Sequence, residues 1–497
     1  MGVKEDINLA TKYQRKSALL NEANALLSWD QETYMPPKGI KARSEQGALL
    51  SKLSHKIMIS DKLFAVLERL KKTELKDRDK RMVDKLHRDL LKTRKIPVSF
   101  VEEFSRATTL AYQAWAEARK KKQFPIFSPH LEKIINLLQQ KIDYLKLPGH
   151  RYNSLLDDYE EGMTVEKLKP VFNSLKMKLI KLLEQIEGSK IYQKRKQKNI
   201  TDKFSEQKIR ELITDVTQRM GLNAEFSRLD VSPHPFTIKI GVNDVRITTR
   251  FDENLLFSFM GAIHEAGHAL YESGLPEEEA YTVLGDAPSL GLHESQSRLW
   301  ENVVGRGKQF WTFYYPRFKK AFGLKEGMDD WYHKINNVKA GLIRVDSDEV
   351  HYCLHAILRF ELELALIEGK LNVKELPDAW NEMMDKIMGI KPKNDGEGVL
   401  QDIHWSHGSF GYFPTYAIGN MYAAQLYKKA VMVHPGMEKE IAKGNFMTLR
   451  EWLKRNVHQI GSRYLADEIV KKACGNGLDP NVYMSYLKEK YGELYGF

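Results

Sequence analysis

Cysteine is scarce in this 497-residue chain, which contains only Cys353 and Cys474. Two cysteines are too few for a disulfide framework, so the class of small, disulfide-stabilised secreted proteins is excluded and reduced thiols are expected. Cys353 lies close to His351 and His355, but on a segment with an amphipathic helical pattern a small buried thiol is the usual state.

Long apolar runs are also missing. The sequence has no stretch of about 18 apolar residues, the length that a membrane-spanning helix needs. The first thirty residues alternate charged and apolar positions without an apolar block, so no signal peptide is expected. These absences predict a soluble cytoplasmic protein without a membrane partner.

Charge of one sign is in moderate excess, with 77 Lys and Arg against 66 Asp and Glu and a formal net charge of +11. Basic clusters at 120–122 and 194–196 would suit a nucleic-acid-binding surface. Elsewhere the two signs are interleaved, as between Lys71 and Lys95, which is typical of a solvated helical surface. Because no nucleic-acid-binding motif accompanies the charge, we expect no nucleic-acid partner.

Helical periodicity is abundant. Apolar residues recur at three- and four-residue spacing over 64–70, 131–145 and 165–186, which predicts amphipathic helices. Proline-rich breaks are few, and no internal repeat or low-complexity linker is visible. We predict a mainly α fold in which residues 1–497 form one domain of two helical lobes, with the functional core at about 230–420.

One segment breaks the helical pattern. Residues 234–251 carry β-branched side chains, including Ile238, Ile240, Val245 and Ile247, on both sides of the Gly-Val-Asn-Asp tetrapeptide at 241–244. This pattern predicts a β-hairpin with strands of about six residues, and therefore a small antiparallel sheet.

The hairpin is followed by a predicted helix over 253–272, with Asp252 as its N-cap and Gly274 as its end. Gly267 in its middle costs about 1 kcal/mol relative to alanine. Such a residue indicates that another element approaches the helix closely at that point.

This helix carries His264 and His268, one turn apart on the same face. Both imidazoles can therefore reach one tetrahedral Zn²⁺. Glu265 lies beside the first histidine, and the HExxH arrangement is the one that zinc peptidases use, with this glutamate as the general base.

A catalytic zinc site needs a third protein ligand and an open fourth position. Gly274 stands six residues after His268, where one subclass of zinc peptidases has a third histidine, so that subclass is excluded. Glu294 is the better candidate, because it lies in a second predicted helix over 290–304 and could reach back to the histidine pair, as in the gluzincins. His293 is the alternative ligand, since imidazole binds zinc equally well.

With these residues in view, the chain resembles the thermostable carboxypeptidases of the M32 metallopeptidase family. The resemblance rests on ordered motifs: HPF at 234–236, DVRIT at 244–248, HESQ at 293–296, GVLQDIHW at 398–405, WDQETYMPP at 29–37 and YEEGMT at 159–164. One motif departs from the family's pattern, because Ser347 in the segment 343–348 stands where the family has alanine.

The resemblance implies a metal-dependent carboxypeptidase that removes single residues from peptide C-termini with broad specificity. It also implies a nearly all-α fold with a long, deep groove, a small sheet beside the HExxH helix, and a homodimer. The metal would be Zn²⁺, or Co²⁺ as in some members.

An exopeptidase must bind the free carboxylate of its substrate, and a bidentate arginine suits that task. Arg344 and Arg246 are the candidates, with Arg344 favoured. Either arginine could instead form a structural ion pair: Arg246 with Asp244, and Arg344 with an aspartate at 346 or 348.

Polar side chains near the GVLQDIHW motif are candidates for stabilising the oxyanion. These are His404, Tyr412 and Tyr416, although ordinary packing of a groove-lining loop would also explain the tyrosines. His234 is a further substrate-binding candidate; for it and for His407 a structural or supporting role is favoured over metal binding.

Two other functions remain open from the residues alone. A related gluzincin groove could act as an endo-oligopeptidase or release dipeptides, depending on where the groove ends relative to the metal. A non-catalytic helical scaffold or nucleic-acid-binding protein is the second alternative, although intact Glu265 argues against a degenerate site.

Overall fold

A computed structural model describes residues 2–194, 205–251 and 255–497. α-Helices dominate these residues. Those before the sheet are α1 (Val3–Thr33), α2 (Ile40–Met58), α3 (Asp61–Lys71), α4 (Asp77–Lys95), α5 (Val98–Lys121), α6 (Ser128–Leu145), α7 (Asn153–Leu156), α8 (Val165–Glu187), α9 (Lys190–Lys194) and α10 (Glu206–Met220).

The helices after the sheet include those that carry the candidate site. They are α11 (Leu255–Gly274), α12 (Leu290–Arg298), α13 (Lys308–Phe322), α14 (Met328–Ile335), α15 (Glu349–Ile367), α16 (Leu376–Met388), α17 (Phe413–Val433), α18 (Met437–Ile441), α19 (Met447–Asn456), α20 (Ala466–Cys474) and α21 (Pro480–Tyr495). The proposed N-cap Asp252 and part of the basic cluster 194–196 lie outside the described residues.

The mainly α fold is confirmed. The three segments with the strongest helical periodicity lie inside α3, α6 and α8. On α8, Leu168, Leu175 and Leu182 recur every seven residues and are buried, as an amphipathic helix requires.

The small sheet contains the predicted hairpin and one strand more. Strands β2 (Thr237–Gly241) and β3 (Asp244–Thr249) pair antiparallel around Asn243, which has a positive φ of 57°, a conformation that asparagine tolerates well. Strand β1 (Ser227–Val231) pairs parallel with β3, so the strand order is β1-β3-β2.

The predicted small antiparallel sheet is confirmed for β2 and β3, and β1 adds a parallel strand that the sequence did not predict. Strand β1 has only five residues, and Arg228 and Asp230 interrupt its apolar pattern. Its parallel pairing depends on tertiary contacts that a local pattern does not contain.

The sheet lies between α1 and α11. Because side chains alternate between the two faces of a strand, Arg246 of β3 points away from its buried neighbours Val245 and Ile247. Its guanidinium carbon lies 4.3 Å from the ring centroid of Trp29 on α1. On the other face, the Thr237 hydroxyl lies 2.9 Å from the backbone oxygen of Glu265 on α11, so β2 is held directly against the HExxH motif.

Buried apolar residues form two clusters. The larger runs from α5 to the C-terminal helix α21 and includes β3. The smaller is built by α1, α3 and α4 together with Leu284. The division of the chain into two lobes and the core at 230–420 stay predictions. No helix among the described residues is long and apolar enough to cross a membrane.

Candidate active site

Helix α11 presents the two histidines of the motif side by side. The ring centroids of His264 and His268 lie 4.9 Å apart. Phe259, Ile263 and Leu270 on the same helix are buried and anchor it in the core. The helix ends at Gly274, as predicted.

The second predicted helix is also present. Helix α12 begins after Ser289, whose side chain accepts a hydrogen bond from the Leu292 amide at 3.0 Å. It continues as a π-helix over Leu299–Val304. The close approach predicted at Gly267 is confirmed, because a Cβ atom there would lie 2.7 Å from Ser297 Cα of α12.

This crossing brings Glu294 to the histidine pair. Glu294 Oε2 lies 3.7 Å from His264 Nε2 and 3.5 Å from His268 Nε2, and all three ligand atoms lie within 4.8 Å of one another. Around a tetrahedral zinc with bonds of about 2.0–2.1 Å, ligand atoms are separated by roughly 3.3 Å. The three side chains therefore fit one metal ion with only small adjustments.

His293, the alternative ligand, is directed elsewhere. Its Nε2 lies 2.9 Å from Glu272 Oε1, and its ring stacks on that of His268 at a centroid distance of 4.4 Å. It is not part of the group formed by the two motif histidines and Glu294.

A second layer of charged groups supports the candidate ligands. His264 Nδ1 lies 2.8 Å from Glu301 Oε2, an acceptor of the kind that orients metal-bound imidazoles. Arg298 Nε donates to Glu294 Oε1 at 2.6 Å, and its Nη1 lies 3.3 Å from Glu301. Sequence reasoning missed Arg298 and Glu301, although they lie four and seven residues after Glu294, on the same helical face.

The protonation states mostly suit a cation. Burial, with His293 adding to it, lowers the pKa of His268 to about 3, so this imidazole is neutral. Burial raises the pKa of Glu294, but Arg298 and His264 outweigh it and the net shift is downward. Burial lowers the pKa of His264, but the charges of Glu294 and Glu301 outweigh burial, so the net shift of this pKa is upward. A bound cation would reverse that last shift, because metal binding requires the neutral ring.

Glu265 opens onto the same cavity as the candidate ligands. Its carboxylate Oε2 accepts a hydrogen bond from the Thr237 hydroxyl at 2.7 Å. Burial raises its pKa, opposed by His264 and Thr237. The cavity has a volume of about 280 Å³ and is lined by Thr237, Glu265, His268, Leu290, His293, Glu294, Tyr412, Thr415 and Tyr416.

The three candidates for oxyanion stabilisation lie together on one side of this cavity. His404 Nε2 lies 3.1 Å from the Tyr416 hydroxyl, and the rings of Tyr412 and Tyr416 are 5.4 Å apart. Burial, followed by the charge of Arg344, lowers the pKa of His404 to about 3, which keeps this ring neutral. Both tyrosines line the cavity.

Arg344 lies behind Tyr416 and does not line the cavity. Its Nε and Nη2 donate to Asp402 Oδ1 at 3.1 and 2.8 Å. Its guanidinium carbon lies 4.6 Å from the centroid of the Tyr416 ring. An ion pair of Arg344 with Asp346 or Asp348 was therefore the wrong prediction, because the partner is Asp402. Asp348 instead caps α15 and contacts His351.

The remaining candidates are more distant from the cavity. Arg246 forms the expected ion pair with Asp244 at 2.8 Å, on the sheet face that α1 covers. His234 is exposed and precedes β2. His407 is exposed, with its ring 5.6 Å from that of Tyr112.

A second, larger cavity adjoins the first. Its volume is about 570 Å³, and its lining includes Lys239 of β2 and Glu272 of α11. Lys239 follows Thr237 on the same face of β2, and Glu272 follows His268 one turn later on α11. The two cavities therefore succeed one another along β2 and α11.

Known proteins resemble this chain over nearly its whole length. The family model described as Carboxypeptidase Taq (M32) metallopeptidase matches residues 9–491. The chain is 38% identical over 489 residues to thermostable carboxypeptidase 1 of Pyrococcus furiosus, covering 97% of each chain. It is 38% identical over 502 residues to thermostable carboxypeptidase 1 of Thermus thermophilus, covering 98% of each.

A solved structure has a very similar fold. The crystal structure of the M32 carboxypeptidase from Deinococcus radiodurans is 35% identical, with a TM-score of 0.94 over 99% of this chain and 100% of that one. The chain therefore belongs to the M32 family of metallocarboxypeptidases, and it is a metal-dependent peptide hydrolase.

Proposed function

We propose that the protein removes single residues from the C-termini of peptides, with His264, His268 and Glu294 holding the metal and Glu265 acting as the general base. The observation that carries this proposal is that the three candidate ligand atoms converge within 4.8 Å while Glu265 lines the same cavity. When bound, a zinc ion would polarise the scissile carbonyl and make a neighbouring water more acidic.

Glu265 accepts the proton of the attacking water and returns it to the leaving amine. Its raised pKa favours the first step, because a more basic carboxylate takes up the water proton more readily. The Thr237 hydroxyl, 2.7 Å away, fixes the carboxylate and leaves its other oxygen for the water.

Tyr416 is the best-placed donor for the developing oxyanion, and Tyr412 is the second. The Tyr416 hydroxyl faces the cavity and is oriented by His404 Nε2 at 3.1 Å. Donors already held in place stabilise a transition state without reorganisation at the moment of reaction. His404 thus acts through Tyr416.

The shape of the cavity favours an exopeptidase over an endopeptidase. Behind Tyr416 lie Arg344, Tyr352 and Phe413, all buried, so the cavity is closed in that direction. In the other direction it adjoins the cavity of about 570 Å³. We infer that the C-terminal residue occupies the closed end and that the preceding residues extend past Lys239.

Arg344 is better placed than Arg246 to attract the C-terminal carboxylate of the substrate. It lies directly behind Tyr416, and after its bonds to Asp402 and Tyr352 two of its five N–H groups remain. Strand β2 is an edge strand among the described strands, so a substrate backbone can pair with it. His234, just before β2, stays a substrate-binding prediction.

The test is mass spectrometry of an N-terminally blocked peptide incubated with the enzyme. The arms are metal-free, Zn²⁺-loaded and Co²⁺-loaded protein, the Glu265→Gln variant, and Glu361→Gln as a matched control on α15, where Glu361 pairs with Lys176 and does not line the cavity. We expect a ladder that shortens by one residue at a time, absent from the metal-free and Glu265→Gln arms.

The other outcomes are equally informative. Internal cuts or dipeptide steps would keep the metal site but reject the single-residue exopeptidase. A full ladder in the Glu265→Gln arm would reject the general base.

We further propose zinc as the metal, with cobalt as the alternative, because two imidazoles and one carboxylate suit both ions. Elemental analysis of the purified protein tests this. We also propose a homodimer, which the family resemblance supports. We propose a cytoplasmic location because both cysteines are free. Light scattering should give twice the chain mass, and cell fractionation tests the location.

A further inference from the structure

Tyr352, on α15, lies between Arg298 and Arg344. The Arg298 guanidinium carbon lies 4.1 Å from the centroid of the Tyr352 ring. The Tyr352 hydroxyl accepts a hydrogen bond from Arg344 Nη1 at 2.8 Å. One side chain thus contacts one arginine through its ring and the other through its oxygen.

The first arginine supports a candidate metal ligand. Arg298 Nε donates to Glu294 Oε1 at 2.6 Å, leaving Oε2 directed at the two histidines. The guanidinium is planar, so its orientation decides where its donors point. The Tyr352 ring against which it stacks therefore helps to set the orientation of the Glu294 carboxylate.

The second arginine supports Tyr416, another residue that lines the cavity. Arg344 stacks on Tyr416 at 4.6 Å and is held on its far side by Asp402. Asp402 is itself fixed, because its other oxygen accepts a hydrogen bond from Arg359 Nε at 2.7 Å. Among the side chains described, the Tyr352 hydroxyl is the other hydrogen-bond partner of the Arg344 guanidinium.

We propose that Tyr352 is a positioning residue with two separable tasks: its ring holds Arg298 against Glu294, and its hydroxyl holds Arg344 behind Tyr416. This inference rests on the proposed function, because it takes Glu294 as a metal ligand and Tyr416 as part of the substrate site. The ring governs retention of the metal, and the hydroxyl governs binding of the substrate's C-terminal end.

Two variants separate the tasks. Tyr352→Phe keeps the ring and removes the hydroxyl, whereas Tyr352→Leu removes both. Tyr483→Phe is the matched control, because this buried tyrosine donates to the Glu349 backbone oxygen at 3.1 Å and contacts neither arginine in the described structure. For each protein we would measure the zinc Kd by competition with a chromogenic chelator, KM and kcat on the blocked peptide, and the Tm.

Tyr352→Phe should raise KM about tenfold, the typical effect of losing a hydrogen bond to a charged group, with the zinc Kd unchanged within twofold. Tyr352→Leu should in addition weaken zinc binding by about 10- to 100-fold, as loss of outer-layer support for a metal ligand does. Tyr483→Phe should change neither constant.

Equal zinc affinities of the Phe and Leu variants would overturn the role of the ring, and an unchanged KM in the Phe variant would overturn the role of the hydroxyl. If the Leu variant fails to fold, Arg298→Lys replaces it: it should weaken zinc binding without raising KM. A fall in Tm alone, with all constants unchanged, would leave Tyr352 a purely structural residue. Failure of the proposed function would appear differently, as wild-type protein that binds no zinc or produces no ladder.

Discussion

Gly267 on α11 lies against the backbone of Ser297 on α12. A Cβ atom at position 267 would lie 2.7 Å from Ser297 Cα and 2.7 Å from the Gln296 carbonyl oxygen. The two helices therefore cross with their backbones in contact. Glu294, one turn before Ser297, reaches the two histidines because this distance is short.

Gly267→Ala should push the helices apart and weaken zinc binding. Overpacking costs about 1–3 kcal/mol, only partly offset by the higher helix propensity of alanine, about 1 kcal/mol. The control is Gly261→Ala on the same helix, where a Cβ atom meets nothing within 4 Å, so this variant should be slightly more stable. The zinc Kd and the Tm should be measured for both variants. Normal zinc affinity in Gly267→Ala would show that the crossing does not position Glu294.

Glu301→Gln should weaken zinc binding about 10- to 100-fold, because the carboxylate that orients His264 through Nδ1 becomes a neutral amide. Glu272→Gln is the matched comparison, since Glu272 contacts His293 in the same way. If His293 is not a ligand, Glu272→Gln leaves the zinc Kd unchanged. A larger loss in Glu272→Gln than in Glu301→Gln would make His293 the third ligand after all.

Glu160 should make the stability depend on pH. Its side chain accepts a hydrogen bond from the Gly291 amide, and burial raises its pKa from 4.5 to about 8. The folded state thus binds this proton more tightly than the unfolded state, so its contribution is full below pH 4.5 and is lost as the pH rises towards about 8.

The Glu160→Gln variant cannot ionise and should lose less stability over that range. Thermal unfolding at pH 5 and pH 8.5, in excess chelator to remove metal effects, measures the difference. The same change in Tm for both proteins would disprove the role of Glu160.

Helix α4 is joined to the larger core by ion pairs. Arg81 and Lys85 lie 3.4 and 3.2 Å from Glu161, and Lys92 lies 2.9 Å from Asp157. Glu161→Gln should lower the stability by about 1–3 kcal/mol, because partly buried cations lose their partner. The effect should shrink in 1 M salt, which screens such pairs.

The control for this prediction is Glu117→Gln, which removes the exposed pair with Lys121 and should leave the Tm unchanged. Thermal unfolding at low and high salt checks both variants. Equal effects of the two substitutions would mean that the α4 contacts stabilise no more than a surface pair does.

The elements and the histidine pair could be predicted from the sequence because they depend on short-range spacing. Two histidines four residues apart share a helical face wherever the helix lies. The helical segments, the hairpin around Asn243 and the close approach at Gly267 follow from equally local patterns.

How separate elements meet, in contrast, is visible only in the three-dimensional fold. Three features depend on the packing of elements that are separate in the sequence. They are the parallel pairing of β1, the contact of Arg344 with Asp402 58 residues away, and the position of Tyr352 between two arginines. Local spacing determines which side chains share a face of one element. It does not determine which face of another element packs against it, because that depends on the burial and close packing of the whole core.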